Sequence, residues 1–510
     1  MTPPPPHDSV AVAPGADRAD PAAARVAERA AFMRFFPSVI LPMFMAAIDQ
    51  TIVATALPAM AAGLGDVGRI SWVVVGYLIG ATISAPLFGR LGDALGRKRM
   101  LLAAIVLFVV ASMLCAAAGS VAWLTGARVL QGFGGGALLT LCQALVGEAV
   151  PARVRGRYQG YLSSIFVAAS MFGPVAGGYL TEGFGWRSVF LVNLPLGAVA
   201  LLMARRLPAH RPTGGQLRFD LLGTLLFAAF VTPVILALEK VQRVDPHDIP
   251  AIAALVAVAL AALVALLWQE RRAAVPLLPL ALFRQAGIWR TDLMAFFLGA
   301  TIVSLVSFLP IYLEVVRGLS PAQTGLLMLP LTAGVGIGSL VTGRLVAHTQ
   351  RTMIFPSLGL PVAAVTLLVV ALSLGGIATG RLPWAFAVVS LSIGTGMPVV
   401  QVITQVVAGP KLLGTAAASV QFSRSVGAGF GTAVVGAVLF ATLAARDPAV
   451  AAAFRELVER GPAALARLSA ASRAAAAAEV AEAFRWAFLT VAAYAGCAMA
   501  LAWWVPVRRL

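Results

Sequence analysis

Asp49 is a carboxylate in a place where a carboxylate is costly. It stands in residues 36–60, FPSVILPMFMAAIDQTIVATALPAM, a stretch apolar almost throughout and long enough to cross a bilayer as a helix. At ~1.5 Å per residue it lies roughly 20 Å from Phe36, deep in the hydrocarbon. A charge at that depth costs about 3 kcal/mol or more unless it meets water or a partner. Gln50, Thr51 and Thr55 add polar groups beside it, and Pro58 can bend the exit end. Two chemistries fit: a structural acid paired to another helix, or a proton or cation site in a transporter.

Arg128 is the natural counterpart. It opens RVLQGFGGG, residues 128–136, and lies roughly 10 Å inside a span that starts near Val121. A guanidinium keeps its charge, so it needs a carboxylate, a dipole or water, or must snorkel to the interface. Gln131 follows one turn later. In the second half Gln401 and Gln405 share a helix face, and Arg424 lies near Gln421; each could line a cavity or tie helices together. Asp292 and Glu314, near opposite ends of one span, are expected to be interfacial caps.

A second cluster is GRLGDALGRKRML, residues 89–101. Gly89 and Gly96 permit a tight turn, and Asp93 can cap the next helix or pair with Arg97. Glu148, at the end of another span, can pair with Arg97 or Arg153. A third pattern, Gly160, Ala169, Gly173, Pro174, Gly177 and Gly178, provides small residues for close helix approach, with a kink at the proline.

The elements that must hold these residues follow from composition. The chain has 510 residues, 60% hydrophobic and 12% charged, with mean hydropathy +0.90. A soluble protein carries about 25% charged residues, so this is a polytopic membrane protein. Its +17 charge sits in loops between apolar spans, which reads as topology rather than nucleic-acid binding. No GxxxxGK[ST] loop is present, which argues against ATP-driven transport. Cys115, Cys142 and Cys497 fall in apolar segments, and His7, His210, His247 and His348 have no ligand spacing, so neither a metal nor a disulfide is expected.

Residues 1–32 read as a Pro/Ala-rich disordered tail. About fourteen spans follow, starting at 36–60, 71–88, 100–119, 124–147, 158–181 and 188–204. The pair 219–238 and 250–268 is nearly free of polar residues after Asp220, which suits lipid-facing helices. The last six are 291–313, 322–347, 353–373, 384–407, 412–442 and 484–505. Arg90, Arg97, Lys98, Arg99, Arg153, Arg155, Arg157, Arg271, Arg272 and Lys411 all fall on one side if every span crosses, which makes both termini cytoplasmic. The Ala-rich stretch 443–483 is expected to be an amphipathic helix on the outer surface.

Several motifs carry a family resemblance. The spacing G-x-L-x-D-x-x-G-R-K-x-x-L at 89–101 closely resembles the signature loop of the major facilitator superfamily, with a worn copy at Gly343-Arg344-Leu345 and Arg351. The R-x-x-Q-G at 128–132 is similar to the family's proton-coupling segment. The glycine pattern matches its antiporter signature with Ala169 in place of one glycine. Together with Trp186-Arg187, Phe190, Asn193, Pro195 and Gly197, and with residues 49–58, these resemble the fourteen-span drug:proton antiporter branch, the EmrB/QacA type.

That resemblance implies an all-α fold of two six-helix halves, 33–206 and 286–505, with two inserted helices in 207–285 and a short cytoplasmic end at 506–510. It implies no enzyme and no cofactor, but a proton-coupled inner-membrane exporter of amphipathic drugs, cationic or neutral. Asp49, Arg128, Gln131, Gln401 and Gln405 would serve protons or substrate, with Arg128 tuning Asp49. Gly89, Asp93, Gly96, Arg97 and Glu148 would form a conformational gate, and Gly173, Pro174, Gly177 and Gly178 the antiporter element. Partners would be the bilayer, protons and a hydrophobic small molecule, with a periplasmic adaptor left open and otherwise a monomer. A proton-coupled importer, an exporter of a lipid or endogenous metabolite, and a non-transporting sensor are the rival readings.

Overall fold

The computed structural model describes residues 21–65, 69–208, 220–243, 248–446, 450, 451, 454 and 470–509. Fourteen helices in it are long and apolar enough to cross a membrane. In chain order they are α1 (Pro21–Leu64), α2 (Trp72–Leu95), α3 (Arg97–Ala116), α4 (Val121–Ala149), α5 (Ala152–Phe184) and α6 (Ser188–Arg205). Then come α7 (Leu221–Arg243), α8 (Ile249–Arg272), α9 (Ala286–Val316), α10 (Pro321–Thr349), α11 (Ile354–Leu372), α12 (Thr379–Ala408), α13 (Leu413–Arg446) and α14 (Ala470–Trp504). Among the described residues there is no β-strand beyond one isolated bridge, between Arg351 and Arg509.

All-helical structure is what apolar solvent demands, because a helix satisfies its own backbone groups. Local signals set the ends. Ser120 caps α4 by accepting from Trp123 N at 3.2 Å, and Ser320 with Gln323 forms a capping box at α10. Gly96, at φ 96°, ends α2 and turns the chain into α3.

The packing repeats. In the first half α2 pairs with α4, α1 with α5 and α3 with α6; in the second, α10 pairs with α12, α9 with α13 and α11 with α14. The halves meet along two corresponding seams, α2 against α13 and α5 against α10. A Cβ on Gly89 would come within 2.6 Å of the Gly414 carbonyl, so the first seam is closed backbone to backbone. Gly156 faces Gly343, and Gly160 faces Ser339, in the second. All of these contacts lie toward the end that carries the 89–101 loop, called the basic end below. The inserted pair is a hairpin outside the bundle: α7 rests on α2 and α13, while α8 exposes Val258, Leu260 and Val264.

Two expectations shift. Helix α1 begins at Pro21, so residues 21–32 are helical rather than disordered tail; proline suits a first helical turn, and the alanines of 22–31 have high helix propensity. Residues 1–20 lie outside the described residues. The stretch 443–483 is entered from both sides, by α13 as far as Arg446 and by α14 from Ala470, with Arg446 and Glu479 paired at 3.3 Å. Buried Phe454 packs on Phe440 and Phe484, whereas 447–449, 452–453 and 455–469 lie outside the described residues.

Candidate functional site

Three helices close around Asp49 of α1. From α4, Arg128 Nη1 donates to Asp49 Oδ2 at 2.5 Å, and Gln131 Nε2 donates to Oδ1 at 2.9 Å. From α6, Asn193 Nδ2 donates to the same Oδ1 at 3.0 Å. From α3, Ser112 Oγ accepts from Gln131 at 2.8 Å and from Asn193 at 3.3 Å. Arg128 also donates to Gln131 Oε1 at 2.7 Å and to the Val73 carbonyl at 3.3 Å, and lies 4.3 Å from the centre of the Tyr77 ring. Asp49 and Arg128 are each 1% exposed and Gln131 is 0%.

Hydrogen bonds offset the desolvation of such a buried pair, and here Asp49 accepts three while Arg128 donates three. Three donors occupy the two carboxylate oxygens. A proton arriving on Asp49 would neutralise the charge that holds Arg128 and weaken the charge-assisted bond between them. Proton occupancy and the packing of α1 against α4 and α6 are therefore linked by geometry. Asn193 and Ser112 were not singled out as site residues from the sequence; Asn193 lies in a motif noted there, whereas the α3 serine gives no local signal.

At the basic end Arg97 Nη2 meets Asp93 Oδ1, and Nη1 meets Glu148 Oε2, each at 2.6 Å. Asp93 does not cap the next helix, whose N-cap, Gly96, makes no side-chain bond. It caps α13 instead: Gly414 N donates to Oδ1 at 3.0 Å, and Thr415 N and Oγ1 donate to Oδ2 at 3.1 and 3.2 Å. Of the two partners open to Glu148, the fold brings it Arg97.

The sequence profile described as Major Facilitator Superfamily matches residues 39–432. The chain belongs to the major facilitator superfamily. An uncharacterized transporter of this superfamily from Mycobacterium tuberculosis is 37% identical over 79% of this chain, which spans 59% of that relative's length. The multidrug transporter protein MdtP of Bacillus subtilis is 31% identical, covering 79% of this chain and 74% of its own. The solved proton:xylose symporter XylE superimposes with TM-score 0.62 over 94% of this chain and 97% of its own, at 14% identity, a likeness of fold alone. The chain thus belongs to a superfamily whose members are transporters, and its relatives include a protein named as a multidrug transporter.

Other residues of this facilitator separate once seen in place. Gly173 and Gly177 on α5 press against α1, where an added Cβ would stand 1.9 Å from Thr51 Oγ1 and 2.2 Å from Thr55 Oγ1. Thr51 Oγ1 also donates to the Ala169 carbonyl at 3.0 Å. Pro174 lies inside the helix, and Gly178 has open space within 4 Å, so it takes no part in the contact. Gln405 ties the halves by donating to the Gln143 carbonyl at 3.1 Å. Gln401 and Arg424 line a small cavity between the halves.

Asp292 is a correction. It is buried at 5% exposure rather than capping an interface, because α13 covers it and supplies Ser419 Oγ as a donor at 3.2 Å. Glu314 stays half-buried near its helix end, in the π-turn Tyr312–Val316.

Proposed function

We propose that this facilitator is a proton-coupled antiporter that exports amphipathic drugs across the cell's inner membrane, with the basic end and both termini cytoplasmic. The observation that carries the proposal is the buried Asp49–Arg128 pair at 2.5 Å, closed by Gln131 and Asn193. An ionisable pair at that depth is costly to keep and marks an ion pathway more readily than a fold requirement. The opposite-signed charges let a proton on Asp49 release Arg128, loosening α1 from α4. Asp49 is too enclosed to meet a substrate cation directly, so it acts as the proton carrier. Basic loops gathered on one side support the orientation.

The Asp93 cap and the Arg97 pairs hold the basic end shut, and substrate would exchange through the opposite end in this state. Charge-complemented helix ends contribute about 0.3–1 kcal/mol at exposed sites and more when partly buried. A contribution of that size biases the two access states without touching substrate. Proteoliposomes with an imposed proton gradient test the reading. Gradient-driven dye transport by the wild type, abolished in Asp49→Asn at equal reconstitution, is the expected result; equal transport by Asp49→Asn removes Asp49 from the coupling step.

A further inference from the structure

The cavity between the halves holds a charge that proton coupling does not use. Its walls come from α1, α4, α5, α9, α12 and α13, and among the described residues lining it the one charged side chain is Arg424. This guanidinium faces Phe166 at 5.0 Å from the ring centre and donates to the side-chain oxygen of Gln421. Among the described residues it has no acidic partner. Lining the same cavity are three glutamines, each with a buried polar atom that has no hydrogen-bond partner: Gln159 Nε2, Gln401 Nε2 and Gln143 Oε1. Those residues are 3%, 4% and 6% exposed, so bulk water does not serve them freely.

An uncompensated cation and idle amide donors, enclosed together, are costly unless a ligand completes them. Two of the three idle atoms are N–H donors, and guanidinium adds a planar fork that fits an oxyanion. Apart from Ser163 the remaining walls are apolar, with Met43, Leu162, Leu298 and Met397 among them. We infer that this cavity, about 30 Å³ in the present arrangement, widens during transport to take an amphipathic organic anion, with its carboxylate or sulfonate on Arg424, Gln159 and Gln401 and its apolar body against the methionine and leucine walls. Sequence alone points to cationic or neutral drugs; the charge in the cavity has the sign that selects against cations. The inference rests on reading the chain as an exporter.

Radiolabelled 1-naphthylacetate, its primary amide and a naphthylmethyl-trimethylammonium ion separate the possibilities by scintillation proximity binding to the purified full-length protein. The acid should bind about tenfold or more tighter than the amide, the size of one charge-assisted hydrogen bond, and the ammonium ion weakest. Arg424→Gln should lose that factor for the acid and leave the amide within about twofold, while Arg424→Lys keeps the order. An amide or ammonium ion that matches the acid overturns the inference, as does acid binding by Arg424→Gln equal to wild type. If Arg424→Gln fails to fold, Gln159→Leu and Gln401→Leu decide: both should narrow the acid-to-amide ratio, and an unchanged ratio in both overturns the anion site. Vesicle transport keeps the two readings apart. Acid that binds tightly but is not moved by a proton gradient supports the anion site and sinks export; gradient-driven movement of the ammonium ion in preference to the acid sinks the anion site and leaves export standing.

Discussion

Asp93 and Thr415 stand 322 positions apart, yet the Asp93 carboxylate accepts both the backbone N–H and the hydroxyl of Thr415 at the first turn of α13. The same carboxylate holds Arg97 at 2.6 Å, so one side chain links a loop of the first half to a helix end of the second. Asp93→Asn keeps the shape and removes the charge that complements both. About 1.4 kcal/mol of lost bias changes the ratio of access states about tenfold. Transport should slow by about that factor while substrate affinity stays within about twofold. Cysteine labelling from each membrane face checks it: accessibility should rise from the basic end, and unchanged accessibility with lost binding would contradict a gating role.

Arg128 and Asp49 should be strongly non-additive. Arg128→Met leaves Asp49 buried with only amide partners, and breaking such a pair costs about 3–5 kcal/mol. Adding Asp49→Asn removes the stranded charge and should recover most of the thermal stability, but not proton-driven transport. Thermal unfolding midpoints of the two single variants and the double variant give the cycle. Additive losses would show that the two residues act independently, against the geometry at 2.5 Å.

The two glycines of the antiporter element should part company. At Gly173 an added methyl collides with Thr51 Oγ1, so Gly173→Ala must push α5 from α1 and lower stability and transport. At Gly178 nothing lies within 4 Å, and alanine is a better helix former than glycine by about 1 kcal/mol. Gly178→Ala should fold as well as wild type or better. Membrane abundance and unfolding temperature of both variants settle the contrast; equal damage at both positions would mean the glycines act through flexibility instead of space.

Hydropathy made the membrane helices legible, since every span must be apolar over about 20 residues. The depth of Asp49 and Arg128 was legible for the same reason. What completes their site was not: Asn193 is 144 positions from Asp49, and pairing across that distance is set by helix packing. Pairing with Arg97, four residues on, was one of the two local roles open to Asp93 and is the one the fold uses, but its cap on α13 needed the closed seam. Asp292 misled because depth was counted along its own helix, whereas its burial comes from α13 beside it. Arg424 gave the opposite lesson. Its position was noted, but only the cavity shows that no acid among the described residues answers it.

The α7–α8 hairpin should behave as a lipid-facing annex anchored at one aromatic contact. Phe227 on α7 is 1% exposed and its ring lies 5.2 Å from that of Phe422 on α13. Val264, on α8, faces outward and is exposed. A cysteine at 264 should react with a lipid-soluble maleimide and resist a charged, water-soluble one, and drug should leave both reactions unchanged. Phe227→Ala removes a buried ring, a change that typically costs about 3–5 kcal/mol, but here the hairpin can settle into the space because it packs on one side only. The loss should therefore fall at the low end of that range and leave the Asp49 and Arg424 sites intact, so transport per folded molecule should stay near wild type. Drug protection of a cysteine at 264 from the water-soluble reagent would instead place α8 on the transport path.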